Sequence, residues 1–177
     1  MKNAKPNKKF LNFSKKTLDN VKLKRANLKK ANFKESSLKH ADFIEADLEK
    51  ANLSKAVLEH ANLSGANVVS AKFQNSSMKS AFFVDADLTK ADLSNSNMEK
   101  ADLQNATLKN AEISNVTLNK ANLEEANLKG ADLADSVMNG TKIKNADFSY
   151  ANLHGADLRE ANLSGVHSKR ANLSFAN

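Results

Sequence analysis

A large apolar residue recurs at every fifth position from Phe13 to Leu173, with no insertion. Written in pentads from Leu11 to Phe175, the chain holds 33 repeats, and 32 have Leu, Phe, Met, Ile or Val at the centre; Ser168 is the lapse. The residue two places earlier is Ala in 23 of the 33, and Asn or Asp usually lies between, as in Ala26-Asn27-Leu28 and Ala91-Asp92-Leu93. Few backbones tolerate this spacing. On an α-helix, at about 100° per residue, five residues advance roughly 140° and scatter the apolar groups over every side. On a flat strand an odd repeat throws successive centres to opposite faces. The chain must therefore bend once per pentad, so that the centre and the small residue before it point inward on every side of a coil.

A longer period counts the sides. Of the ten pentads without Ala at the small position, six share one 20-residue register: Lys16, Ser36, Ser76, Ser96, Val116 and Ser136. Met78, Met98 and Met138 also lie 20 residues apart or at a multiple of 20. Asp19, Lys39, Glu59, Lys79 and Glu99 alternate in sign at steps of 20, as vertical neighbours about 4.8 Å apart should. Four pentads per turn, hence an all-β, four-sided coil, is the expectation.

At this point the chain resembles the pentapeptide repeat family, through an A-(N/D)-L-x-x motif that covers residues 11–175. The resemblance implies a right-handed quadrilateral β-helix, here of about eight coils and on the order of 38 Å long by strand spacing. It implies a solenoid over 11–177, preceded by a basic cap or tail at 1–10. It names no chemistry, because the motif describes the core of the coil.

The net charge of +7 is not spread evenly. Residues 1–34 hold 12 Lys or Arg and one Asp, whereas residues 35–177 hold 15 basic and 19 acidic residues. Lys8 and Lys9, with Lys24, Arg25, Lys29, Lys30 and Lys50, form a candidate basic surface for nucleic acid or an anionic membrane. The side carrying Lys29, Lys90, Lys109, Lys129, Lys169 and Arg170 extends it. Without interleaved aromatics or a groove-entering helix, specific nucleic-acid recognition is unsupported. No Cys is present, so there is neither a disulfide framework nor a thiolate metal site. No apolar run follows the basic N-terminus, and a soluble cytoplasmic protein is expected.

The chemistry-bearing residues are sparse. His40 and His60 occupy equivalent corners on adjacent coils, where their rings can approach, but two ligands alone make a weak metal site. No Ser, His and acid converge as a triad, and a shaft filled by Leu and Phe leaves no catalytic centre; neither enzyme activity nor a cofactor is expected. The small inward Ser36, Ser76, Ser96 and Ser136 should hydrogen-bond within the coil. All five Gly residues fall at the last position of a pentad, where a positive-φ corner suits them.

Function should lie on the outward positions. Apolar residues gather there at Ile44, Phe82 and Val84 on one side and Val69 on the next, a candidate protein-interaction patch. A solenoid end exposes core side chains unless covered. Leu153, Leu158, Leu163, Leu173 and Phe175 form a candidate C-terminal dimer end, with Leu173 and Phe175 folding over the last coil as the alternative. Family members resembling this chain often pair through that end. Three functions are weighed: a rigid scaffold for an unknown protein partner, a DNA-mimicking binder of gyrase or topoisomerase like the quinolone-resistance branch of the family, and a binder of nucleic acid or anionic surfaces. The DNA mimic fits poorly with a basic first coil.

Overall fold

The computed structural model describes residues 11–177. Each pentad repeats one conformation: a single bridging residue at the second position, then a turn at the fourth and fifth. Every bridge is parallel and joins residues 20 apart, as Asn12 to Asn32 and Asn152 to Asn172, so the column from Asn12 to Asn172 climbs eight steps. This is the four-sided coil that the 20-residue register predicts. The sides are short. No extended strand run exists among the described residues; each side is paired through one isolated bridge per coil.

The corner explains how so short a side closes. The N–H of nearly every pentad's first residue donates to the carbonyl of the preceding centre, as Ala106 to Leu103 at 3.0 Å, which makes a β-turn. The residue before it adopts positive φ in all 33 pentads, 28 of them non-glycine at φ between 53 and 63°. The second-position Asn or Asp holds the turn from outside: its Oδ1 accepts the N–H two residues on, as Asn62 from Ser64 at 3.0 Å and Asp102 from Gln104 at 3.2 Å. Such Asx turns are a local bond that short carboxamide and carboxylate side chains make readily. The middle letter of the motif is thus a turn lock.

The inward positions form one shaft. Ala and large apolar side chains from Leu28 to Ala156 are buried, with Phe33 against Phe43 and Phe73 against Phe83 edge to face at 5.8 and 6.1 Å. At about 1.5 to 3 kcal/mol per large side chain, this burial offsets the ordering of an otherwise polar chain. Ser36 and Ser136 donate to the carbonyls of Phe33 and Leu133 at 2.6 and 2.7 Å. Ser76 and Ser96 depart from that expectation, because their buried hydroxyls have no partner.

The ladder is directional. In most pentads of the inner coils the third and fifth N–H groups donate toward the C-terminal end, as Leu93 to Glu112 at 2.7 Å and Asn95 to Ser114 at 3.1 Å, while the second donates back, as Asp92 to Ala71 at 3.0 Å. Two bonds therefore point one way for each pointing the other. The carbonyls of Ser14, Asp19, Lys24 and Lys29 face the residue-11 end with no backbone partner among the described residues. A coil edge rich in carbonyl oxygen is the edge that cations complement, which gives the Lys-rich first coil an electrostatic reason.

Candidate functional site

Four features of the outer surface are candidates: the apolar patch, the last coils, the basic surface and the stacked corners. In the apolar patch only Phe82 is well exposed, at 43%. It bridges Asn62 below and Asp102 above. Ile44, Val69 and Val84 are half-buried between their neighbours on adjacent coils, so the patch is one ring with apolar edges.

At the last coils the five expected residues separate. Leu153 is buried in the shaft and Leu158 half-buried, whereas Leu163, Leu173 and Phe175 are exposed. Phe175 does not fold over the last coil: it is 86% exposed and meets the His154 ring edge to face at 5.3 Å. Ser168, the lapse in the repeat, is exposed beside Leu158, Leu163 and Val166 at the mouth of an apolar cavity of about 200 Å³. A polar centre is tolerated where the shaft meets solvent.

The basic surface is largely neutralised at its N-terminal end. Lys8 and Lys9 lie outside the described residues. Arg25 Nε meets Glu45 Oε2 at 2.6 Å; Lys29 Nζ meets Asp47 and Glu49 at 3.2 and 3.0 Å; Lys50 Nζ meets Glu49 at 2.8 Å. The Lys50 and Lys29 ammonium groups hold the Glu49 carboxyl down to about 2. Arg25 likewise lowers Glu45, chiefly by its hydrogen bond. Lys24 has no carboxylate at ion-pair distance among the described residues, and Lys30 makes its own contacts.

A family model for pentapeptide repeats matches this surface and its shaft in eight copies spread between residues 17 and 177. The chain belongs to the pentapeptide repeat family. Among solved structures, the pentapeptide repeat protein HetL, involved in heterocyst differentiation regulation in the cyanobacterium Nostoc sp. strain PCC 7120, is 28% identical over 98% of this chain and 89% of its own, with a TM-score of 0.45. A trypsin-treated form of QnrB1, a plasmid-mediated fluoroquinolone resistance protein, is 24% identical over 88% of each chain with a TM-score of 0.55, a likeness of fold. No curated protein matches the chain.

The pentapeptide repeat corners carry the remaining polar groups. Lys39 pairs with Glu59 at 3.2 Å and Lys79 with Glu99 at 3.3 Å, while Asp19 accepts the Lys39 N–H at 2.9 Å; the alternating charges do stack. Hydrogen bonds from Lys39 and Lys79 depress the Glu59 and Glu99 carboxyls respectively. The His40 and His60 rings stack with centroids 5.0 Å apart and planes within 5°. No group of three metal-ligating side chains exists among the described residues, and no described helix is long and apolar enough to cross a membrane.

One arrangement escapes sequence reasoning. Tyr150, 46% exposed, lies between Lys129 Nζ and Arg170 Cζ, 5.6 and 5.8 Å from its ring centroid. The three residues come from successive coils of the Lys-rich side, so an aromatic is interleaved among its cations after all. The signal was the recurrence of that side every 20 residues, which sets Tyr150 in one column with Gly130 and Arg170, and beside Lys129, the chain neighbour of Gly130.

Proposed function

We propose that this chain is a non-catalytic scaffold for protein–protein interaction: a single right-handed quadrilateral β-helix over residues 11–177 presenting rigid, mostly polar sides to a partner in the cytoplasm. The observation that carries the reading is the exposed Phe82 ring, set in a regular polar side with Val84 in the same pentad and Ile44 two coils away. A rigid aromatic at the centre of a flat face is an economical anchor for a partner. The test is a pulldown with the intact chain and with Phe82→Glu. A protein retained by the first and lost with the second, the two chains melting alike, supports this reading; equal recovery rejects it.

Pairing of two copies through Leu163, Leu173 and Phe175 is the second proposed contact. Its affinity would come from apolar packing, because two C-terminal edges face to face set N–H against N–H in the ladder described above. A monomer mass by light scattering at high concentration rejects it.

The DNA-mimicking alternative, a gyrase or topoisomerase binder, draws its support from the family resemblance. Against it, Glu45, Glu49, Glu59 and Glu99 each have a Lys or Arg at ion-pair distance, so these four carboxylates are locally balanced. Supercoiling by gyrase that falls on addition of this protein would restore that alternative.

A further inference from the structure

We propose that the C-terminal half of the Lys-rich side is a binding track for single-stranded nucleic acid, read through its phosphates and unpaired bases. This goes beyond the scaffold reading and uses a different side of the coil from Phe82. The first half of that side is spent on internal pairs: Lys29 and Lys50 are bound to Asp47 and Glu49. The second half is different. Lys109, Lys129, Lys169 and Arg170 are exposed, and none has a carboxylate within ion-pair distance among the described residues. On this side the free cations therefore lie in the later coils.

The charges are arranged as a narrow row. From Lys90 to Arg170 the side rises four coils, on the order of 19 Å at strand spacing. The pentads of the sides flanking this row carry Glu112, Asp132 and Asp135 on one hand and Asp102, Glu124 and Glu125 on the other. A plane of anionic headgroups would have to lie against those carboxylates as well. A single phosphate strand need only follow the row. Two acids stand on it: Asp87, in the pentad of Lys90, and Asp147, whose carboxyl is lowered by its hydrogen bonds to Ser149 and by the charges of His167 and Lys129.

The aromatic component favours a single strand over a duplex. Lys129 Nζ and Arg170 Cζ both lie over the Tyr150 ring, which sets two charges beside a phenol that is itself exposed. A guanidinium plane and an aromatic ring are surfaces on which unpaired bases pack regardless of sequence, whereas bases stacked inside a duplex cannot reach them. The left-handed backbone at Tyr150, φ 63°, and at Arg170, φ 58°, fixes both side chains at the corner of the rigid coil.

The test is fluorescence anisotropy of a labelled oligothymidylate with the full chain, titrated with salt from about 50 mM upward. Binding should weaken linearly on a log–log plot, and Lys129→Gln and Lys169→Gln should each flatten the slope by about 0.7. Tyr150→Ala should weaken binding about tenfold, and Tyr150→Phe should not. Lys29→Gln, on the internally paired half, should leave affinity within about twofold, because that charge is already matched. No binding at the lowest salt overturns the proposal. So does an equal loss with Lys29→Gln, tighter binding of a duplex of the same length, or capture by phosphatidylserine vesicles without oligonucleotide binding. Circular dichroism of each variant separates loss of binding from loss of fold.

Discussion

Asn152 donates from Nδ2 to Asp132 Oδ1 one coil below at 2.9 Å, while its own Oδ1 accepts Nδ2 of Asn172 one coil above at 3.0 Å and the His154 N–H at 3.2 Å. The same side chain locks its own turn and ties three coils together. Asn62 makes only the first kind of bond, to Ser64 at 3.0 Å. Asn152→Ala should therefore destabilise the chain by about 2 to 3 kcal/mol and Asn62→Ala by about 1 kcal/mol, read as the difference in urea midpoints at constant slope. Equal losses would show that the turn lock alone matters.

The corners should respond to glycine. Glu125 holds φ at 61° without being glycine, a conformation costing an L residue roughly 1 kcal/mol. Glu125→Gly is expected to raise the thermal midpoint. Gly165→Ala is expected to lower it, since the added Cβ meets Asn145 Cγ at 3.3 Å and the Asn145 backbone Cα at 3.6 Å at φ +69°. Calorimetry of the two variants checks the pair; shifts of the same sign would contradict the argument.

The reasons some of this can be read from the sequence, and some cannot, are physical. Burial admits only apolar side chains at the pentad centre, so the shaft and its four sides are visible in the periods alone. The corner's left-handed backbone leaves a fainter trace, five Gly and seven Asn among 33 fifth positions, because the stacked ladder forces Lys, Glu and Ser into the same conformation. The Asn and Asp of the motif are easily counted, but their role as turn locks requires the position of the N–H two residues on. For the candidate surfaces the limit is lateral packing. Phe82 reads as outward and is outward; Ile44 and Val84 read alike and are half-buried. Charge counting finds a basic cap at Arg25 and Lys29, and only the vertical register reveals that Glu45 and Glu49 answer it.

The inward serines divide into two classes that mutation should separate. Ser136 donates to Leu133 O at 2.7 Å, whereas the Ser76 hydroxyl is buried without a partner. Replacing a satisfied hydroxyl by hydrogen loses a bond worth about 1 kcal/mol, while removing an unsatisfied one relieves a desolvation penalty of similar size. Ser136→Ala should lower stability and Ser76→Ala should raise it or leave it unchanged. Chemical denaturation of both variants decides; a clear loss with Ser76→Ala would mean that its hydroxyl finds a partner in solution.

Acid should loosen the first coils through Glu49. Its carboxyl is lowered from an ordinary 4.5 to about 2 by hydrogen bonds from Lys50 and Lys29. A carboxyl whose folded-state pKa lies below its unfolded one contributes stability that is fully present above the unfolded value and disappears as pH falls through the folded value. The contribution of Glu49 should therefore vanish across the interval from 4.5 to about 2. Because the group is at the surface, added salt should screen the effect. Side-chain NMR titration should place the Glu49 midpoint near the lower end of that interval, and Lys50→Gln should move it upward by more than Lys29→Gln does, since the Lys50 bond is the larger cause. A Glu49 that titrates in the ordinary carboxylate range would show that the two ion pairs do not persist in solution, and with them would go the argument that Lys29 and Lys50 are internally matched.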